Sequence, residues 1–298
     1  MTDIGIFRGT QVPEPRPALA HLAAQGRLLG ARVLLVDDNP VNQEVALLLL
    51  RSAGVVVEVA QDGQFALEML YRKPYDLVLM DVQMPRMDGL QATRLLRQDP
   101  AFQQLPVVAL TANAMPKDRQ ACLEAGMNDH LAKPVDPGLL YATLVHWLAM
   151  GGVLAKADLP ATALPADVAP APAAARSADQ QLAGMAQLVN LDQAKEYCGG
   201  NAQLLRTIMA RFAEHYTGAG NTLLALVQAG DLPAVAHLLH SLGGASASVG
   251  AGQLSALAQQ MEAAAKQGQP VQALLPMGQA LAGALDALLA GMAANLVD

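Results

Sequence analysis

From Arg32 onward, short apolar runs alternate with longer stretches in which apolar residues recur every three or four positions. The runs are VLLV (33–36), VVVEVA (55–60), DLVLM (76–80), PVVAL (106–110) and HLA (130–132). The stretches between them predict helices at about 41–52, 64–72, 88–98, 116–125 and 137–148. A strand that is apolar throughout is buried on both faces. Such strands alternating with helices predict a doubly wound, five-stranded parallel α/β sheet. In that architecture ligands bind at the carboxyl ends of the strands.

After Leu182 the pattern changes. No strand is expected there, and helical periodicity runs through about 191–197, 201–217, 219–229, 232–249, 251–267 and 271–294. Breaks fall at Gly199-Gly200, Gly218/Gly220, Gly230, Gly250 and Gly268/Pro270. Long helices with short breaks predict an all-α antiparallel four-helix bundle. Four units follow: a tail over 1–30, the α/β domain over 31–150, a linker over 151–182 and the helical domain over 183–298. The tail carries Pro13, Pro15 and Pro17 before an amphipathic stretch from Ala18 to Leu29. The linker, with Pro160, Pro165, Pro170 and Pro172 among alanines, lacks periodicity. A flexible chain of that length spans roughly 30 Å, more where proline extends it.

Composition narrows the picture. Aromatic residues make up only 3% of the 298 positions, so both cores must be built from Leu, Val, Ala and Met. A net charge of −7 without a dense Lys/Arg run argues against nucleic-acid binding. Cys122 and Cys198 lie far apart without metal-ligand spacing and read as reduced thiols. The apolar stretch from Met277 to Val297 is interrupted by Asp286 and lacks flanking Lys/Arg, so a packed helix is expected rather than a membrane span.

The candidate chemistry sits at the ends of the strands. Asp37 and Asp38 follow the first, Asp81 ends the third, Thr111 the fourth and Lys133 the fifth. In a parallel sheet these ends share one edge, so three carboxylates, a hydroxyl and an ammonium converge. Crowded carboxylates repel one another unless a cation neutralises them, and hard oxygen donors favour Mg²⁺. A metal held there offsets charge during phosphoryl transfer. Strand-end Asp and Thr also serve as helix caps, but capping does not require five such residues at matching strand ends.

VLLVDDNPVNQEVA, DLVLMDVQMPRMDGL, VVALTANAM and AGMNDHLAKPVDP together resemble a two-component response-regulator receiver, most of all those attached to hybrid histidine kinases. The resemblance implies a flavodoxin-like fold with Asp81 as phosphoacceptor. It implies that Asp38 and Asp81 bind Mg²⁺ directly, Asp37 through water, and that the backbone carbonyl of Gln83 completes the protein ligands. It implies further that Thr111 and Lys133 contact the phosphoryl group and that the Lys133-Pro134 bond is cis. His130 stands where the family usually has Tyr or Phe and is read as a ring-shaped substitute. Gln83 and Asn113, two residues after Asp81 and Thr111, occupy positions that tune acyl-phosphate lifetime in the family.

The helix over 232–249 has an apolar stripe of Leu232, Val235, Leu238, Leu239, Leu242, Ala245 and Val249. His240 lies off it, followed by Gly243, Gly244 and Ala247. Glycine inside a helix costs roughly 0.5–1 kcal/mol relative to alanine, so two in succession predict a surface cleared around an exposed imidazole. A neutral imidazole nitrogen is nucleophilic near neutral pH. HSLGGASASVGA and LSALAQQMEAAAKQG, with NLDQAKEYCGGNAQLLRTIMARFAEH before them, resemble a histidine-containing phosphotransfer (HPt) domain, which makes His240 a second phosphoacceptor. His237, one turn earlier, does not match the motif and reads as a surface residue. The family usually has lysine three residues after the phosphohistidine, where this chain has Gly243. Slower transfer or a cation supplied by the partner is therefore expected, and Gly243→Lys should change transfer rate and phosphohistidine lifetime.

The expected function is a phosphorelay segment in which Asp81 accepts a phosphoryl group from a sensor kinase and His240 relays it to or from a receiver aspartate. The implied partners are an upstream sensor histidine kinase and a downstream receiver. The implied location is cytoplasmic, including as the cytoplasmic end of a membrane-bound hybrid kinase. No ATP-binding kinase motif stands in the sequence, so phosphotransfer and slow self-dephosphorylation are expected of it, not independent kinase activity. The main alternative is a phosphorylation-switched module whose bundle only docks partners. An aspartate-nucleophile phosphatase would want a second Asp where Gln83 stands.

Overall fold

A computed structural model describes residues 28–112, 116–150 and 182–296. Residues 1–27 of the tail, 151–181 of the Ala/Pro-rich linker and Asn113 lie outside the described residues. Five parallel strands, β1 (Arg32–Val36), β2 (Val56–Ala60), β3 (Leu77–Asp81), β4 (Val107–Thr111) and β5 (Asp129–Ala132), form one sheet in the order β2-β1-β3-β4-β5. Five helices accompany them: α1 (Pro40–Ser52), α2 (Gly63–Arg72), α3 (Gly89–Gln98), α4 (Pro116–Glu124) and α5 (Pro137–Met150). These elements match the periodicity to within one or two residues.

Alternation of side chains along a strand divides the core. Val33, Leu35, Leu79, Val108 and Leu110 join the apolar residues of α1 and α5, including Val45, Leu49, Leu140 and Leu144. Leu34, Val36, Val78, Met80, Val107 and Ala109 join those of α2 and α3, including Ala66, Leu70, Ala92 and Leu96. The central strands β1, β3 and β4 are buried on both faces, which is why they read as unbroken apolar runs, while β2 and β5 at the edges are only partly buried. The order reverses at β1, and β1 pairs in parallel with β3 through Val36 opposite Met80. Asp37 and Asp81 therefore emerge beside each other at that switch point. The Lys133-Pro134 peptide is cis.

The remainder of the described chain is all-helical: α6 (Leu191–Tyr197), α7 (Ala202–Tyr216), α8 (Ala219–Ala229), α9 (Leu232–Ser248), α10 (Gly252–Lys266) and α11 (Val271–Asn295). Asn201 and Asp231 cap α7 and α9 through side-chain oxygens that accept from Leu204 and Ala234 backbone N–H groups. Helix α11 is long and apolar enough to cross a membrane by composition. Here Leu274, Leu281, Leu285, Leu288 and Met292 form one buried stripe, and the helix packs against α8 and α10.

The bundle docks on the α/β domain through α1, which packs against α7 and α9. On α9, His237, Ser241 and Gly244 fall on one stripe and meet Asp38, Asn39 and Asn42 in turn. His237 Nε2 lies 3.2 Å from Asp38 Oδ2. Asn39 Nδ2 donates to the Ser241 carbonyl at 3.0 Å. A Cβ on Gly244 would lie 3.7 Å from Asn42 Nδ2.

Candidate functional site

The strand ends bring the expected residues together. Oxygen atoms of Asp37, Asp38 and Asp81 lie within 4.8 Å of one another. Asp37 and Asp81 are each only 1% exposed. Lys133, carried by the turn after β5, reaches across with Nζ 2.7 Å from Asp37 Oδ2 and 2.6 Å from Asp81 Oδ2. Burial works against the ammonium, but the two carboxylates outweigh it and raise its pKa. Burial also raises the Asp37 carboxyl most strongly; Lys133 lowers it, Asp81 raises it again, and the result is about 6. The set of clustered carboxylate oxygens, more negative charge than Lys133 alone offsets, fits a hard divalent cation.

Local structure holds these groups in place. The Asn39 backbone N–H donates to Asp37 Oδ1 at 2.9 Å, and the Gln83 N–H to Asp81 Oδ1 at 3.2 Å. Asn39 also caps α1 by accepting from the Val41 N–H. Gly89, first residue of α3, lies against the turn after β3, where an added Cβ would run into the Asp81 carbonyl oxygen. Thr111 is buried at the end of β4 and donates to the Leu131 carbonyl at 3.5 Å. His130 sits on β5, its backbone N–H held by Asp129 Oδ1.

Asp81 and Thr111 line a cleft of about 390 Å³ whose other wall is His240, Gln259, Glu262 and Lys266 of the bundle. Docking thus brings the histidine to the strand ends.

Two sequence readings need correction. His240 is not an exposed imidazole: it is 9% exposed, between α10 and the docked domain. Gly243 does not clear the surface; it packs against α10, where a Cβ would meet Ala258 Cβ at 3.6 Å, and its carbonyl accepts from Ser255 Oγ at 2.8 Å. Gly244 is the glycine that faces the other domain, at ordinary contact distance from Asn42. His237 is a part-exposed residue that also pairs with Asp38. That hydrogen bond, opposed by burial, raises the His237 pKa.

Four further residues were not singled out from sequence. His240 Nδ1 lies 3.2 Å from Glu262 Oε1, and Lys266 Nζ donates to the same oxygen at 2.7 Å. A carboxylate can only accept, so Nδ1 carries a proton, and in the neutral ring Nε2 is the nitrogen that holds the lone pair. Burial tends to raise the Glu262 carboxyl, yet the bonds and charges of His240 and Lys266 together hold it below its usual value. Lys266 Nζ also donates to Gln83 Oε1 at 3.3 Å. Asn39 Nδ2 donates to the buried Tyr216 hydroxyl at 2.7 Å. Glu262 and Lys266 did leave a signal: they are the only charged residues between Asp231 and Asp286.

An acidic sheet edge facing a histidine-bearing helical bundle defines the class, the phosphorelay proteins of two-component signalling. Residues 33–145 match the response regulator receiver domain, and residues 203–291 match the Hpt domain. The sensor histidine kinase GacS of Pseudomonas protegens is 33% identical over 239 residues, covering 79% of this chain and 24% of that protein. The histidine-protein kinase BarA of Escherichia coli is 40% identical over 132 residues, covering 44% of this chain and 14% of that protein. The chain therefore spans a quarter or less of the length of these relatives. A solved receiver domain of the sensor histidine kinase PA1611 from Pseudomonas aeruginosa, with a magnesium ion coordinated in its active-site cleft, is 46% identical. It covers 40% of this chain and 98% of that one, with a TM-score of 0.39.

Proposed function

We propose that Asp81 accepts a phosphoryl group from the phosphohistidine of an upstream sensor kinase and exchanges it with His240. His240 then relays it to or from the aspartate of another receiver. The observation that carries this reading is the shared cleft: Asp81, Thr111 and His240 line one cavity although 159 positions separate Asp81 from His240 in the sequence. Asp38 and Asp81 directly, Asp37 through water and the Gln83 carbonyl would hold Mg²⁺, which supplies positive charge against the phosphoryl oxygens. Lys133 and Thr111 are the protein groups that take those oxygens on the receiver side. Glu262 fixes the tautomer that leaves Nε2 nucleophilic.

The chain works at a cytoplasmic location with a sensor kinase upstream, on a separate protein or within one hybrid histidine kinase, and with a receiver downstream. The test is phosphorylation of the full chain by acetyl phosphate with Mg²⁺, followed by adduct stability. Acyl phosphate is base-labile and phosphohistidine acid-labile. Asp81→Asn should abolish both adducts, whereas His240→Gln should keep the acyl phosphate and lose the acid-labile one. Wild-type incorporation by Asp81→Asn would refute the assignment. Unchanged phosphate flow to a downstream receiver in His240→Gln would favour a bundle that only docks.

A further inference from the structure

The missing lysine at position 243 leaves an electrostatic gap. A transferring phosphoryl group spreads negative charge over three oxygens and needs positive charge throughout its path. On the receiver side that charge is Lys133. On the histidine side, Gly243 offers none and faces Ala258 rather than the cleft. Lys266 is the only Lys or Arg in the chain after Arg211, and it stands in the cleft beside His240. It is the one cation among the described residues lining that cleft. Its side chain is 47% exposed, so the ammonium can turn toward a new anion without unpacking the helix.

We infer that Lys266 is the cation that receives the phosphoryl group at His240, replacing from α10 the side chain absent at position 243. The inference rests on the relay reading. Lys266 Nζ sits between two acceptors, Glu262 Oε1 at 2.7 Å and Gln83 Oε1 at 3.3 Å, one in each domain. Glu262 thus ties two things to one atom, the ring tautomer and the position of the cation. In the transfer the Asp81 O–P bond breaks and the Nε2–P bond forms. The bonding pair of the broken bond stays on Asp81, which returns to a carboxylate paired with Lys133. The Nδ1 proton remains in place, so the ring becomes cationic and Glu262 faces that charge. Lys266 exchanges its bond to Gln83 for one to a phosphoryl oxygen.

The test uses the full chain labelled with acetyl phosphate and Mg²⁺, with acid-labile and acid-stable phosphate followed in time by rapid quench. Lys266→Gln should slow the appearance of phosphohistidine about tenfold, the loss of one charge-assisted hydrogen bond in the transition state, and should change the adduct's lifetime. Lys266→Arg should keep the rate within about threefold, because it keeps the charge. Adding Gly243→Lys to Lys266→Gln should recover part of the loss. Wild-type formation rate and lifetime in Lys266→Gln would overturn the inference. So would equal losses in the Gln and Arg variants with no rescue, which would mean that the residue only props Glu262. If the wild-type chain forms acyl phosphate but no phosphohistidine, the relay reading fails, an outcome distinct from a Lys266 defect.

Discussion

At the residue scale, the receiver edge holds its chemistry by opposed forces. Asp37 is buried beside Asp81, so its ionised form is disfavoured, and Lys133 only partly corrects this. Its folded pKa of about 6 lies above the ordinary 3.8. The native state then holds more protons than the unfolded state between those values, so this group removes stability as pH rises through that window, with the cost fully present above it. A divalent cation reverses the preference by favouring the carboxylate. Below about pH 6 the cation must displace a proton, and apparent Mg²⁺ affinity should fall by up to about tenfold per pH unit, with a plateau above. Calorimetric Mg²⁺ titrations from about pH 5 to about pH 8 check this; an affinity flat across the range would contradict it. The carboxylates were readable from sequence because strand ends in a parallel sheet share an edge. The value for Asp37 was not, because it depends on burial and on the reach of one lysine.

At the element scale, helices serve the site by their approach. Helix α3 begins against the Asp81 carbonyl, and only glycine at position 89 permits that contact. Gly89→Ala must push the helix or the strand end aside, so it should destabilise the protein by about 1–3 kcal/mol, as overpacking in a tight site does. It should also weaken Mg²⁺ binding, because the same strand end carries Asp81. Urea denaturation with and without Mg²⁺ reads both, and a neutral variant would show that the contact is slack. The apolar runs and the glycine breaks gave the boundaries of α1 to α11 almost to the residue, since burial on both sheet faces and one buried stripe per helix each leave a period. The orientation of α9 is not legible in the sequence. One apolar stripe was found, but this helix is buried on further sides, and the stripes that carry His240, Gly243, His237 and Gly244 have no apolar periodicity. Their partners lie on α10 and on the other domain, so no local pattern could reveal them.

At the scale of the whole molecule, the docked arrangement covers the bundle face that carries His240, the face that the proposed relay would present to any other receiver. His240 is 9% exposed with its own receiver in place, so a second receiver can reach it only after the first has withdrawn. In the proposed relay, transfer within the chain and transfer out of it therefore compete, and the tether favours the former by raising local concentration. Polar contacts across the docked face include Asn39 with Tyr216 and with the Ser241 carbonyl, His237 with Asp38, and Lys266 with Gln83. Among them the bond between Asn39 and the Tyr216 hydroxyl is buried and carries no charge, so it can be removed without touching the reacting groups. Tyr216→Phe keeps the ring and its packing against Phe212, and deletes one buried hydrogen bond worth about 1 kcal/mol. The docked population should fall about fivefold relative to the open one. Exchange between Asp81 and His240 should slow, while transfer from pre-formed phosphohistidine to a separately added receiver should speed up by a similar factor. Opposite signs in the two rates are the diagnostic result. A fall in both would mean that Tyr216 supports the bundle itself, and no change in either would mean that docking in this pose does not limit the relay.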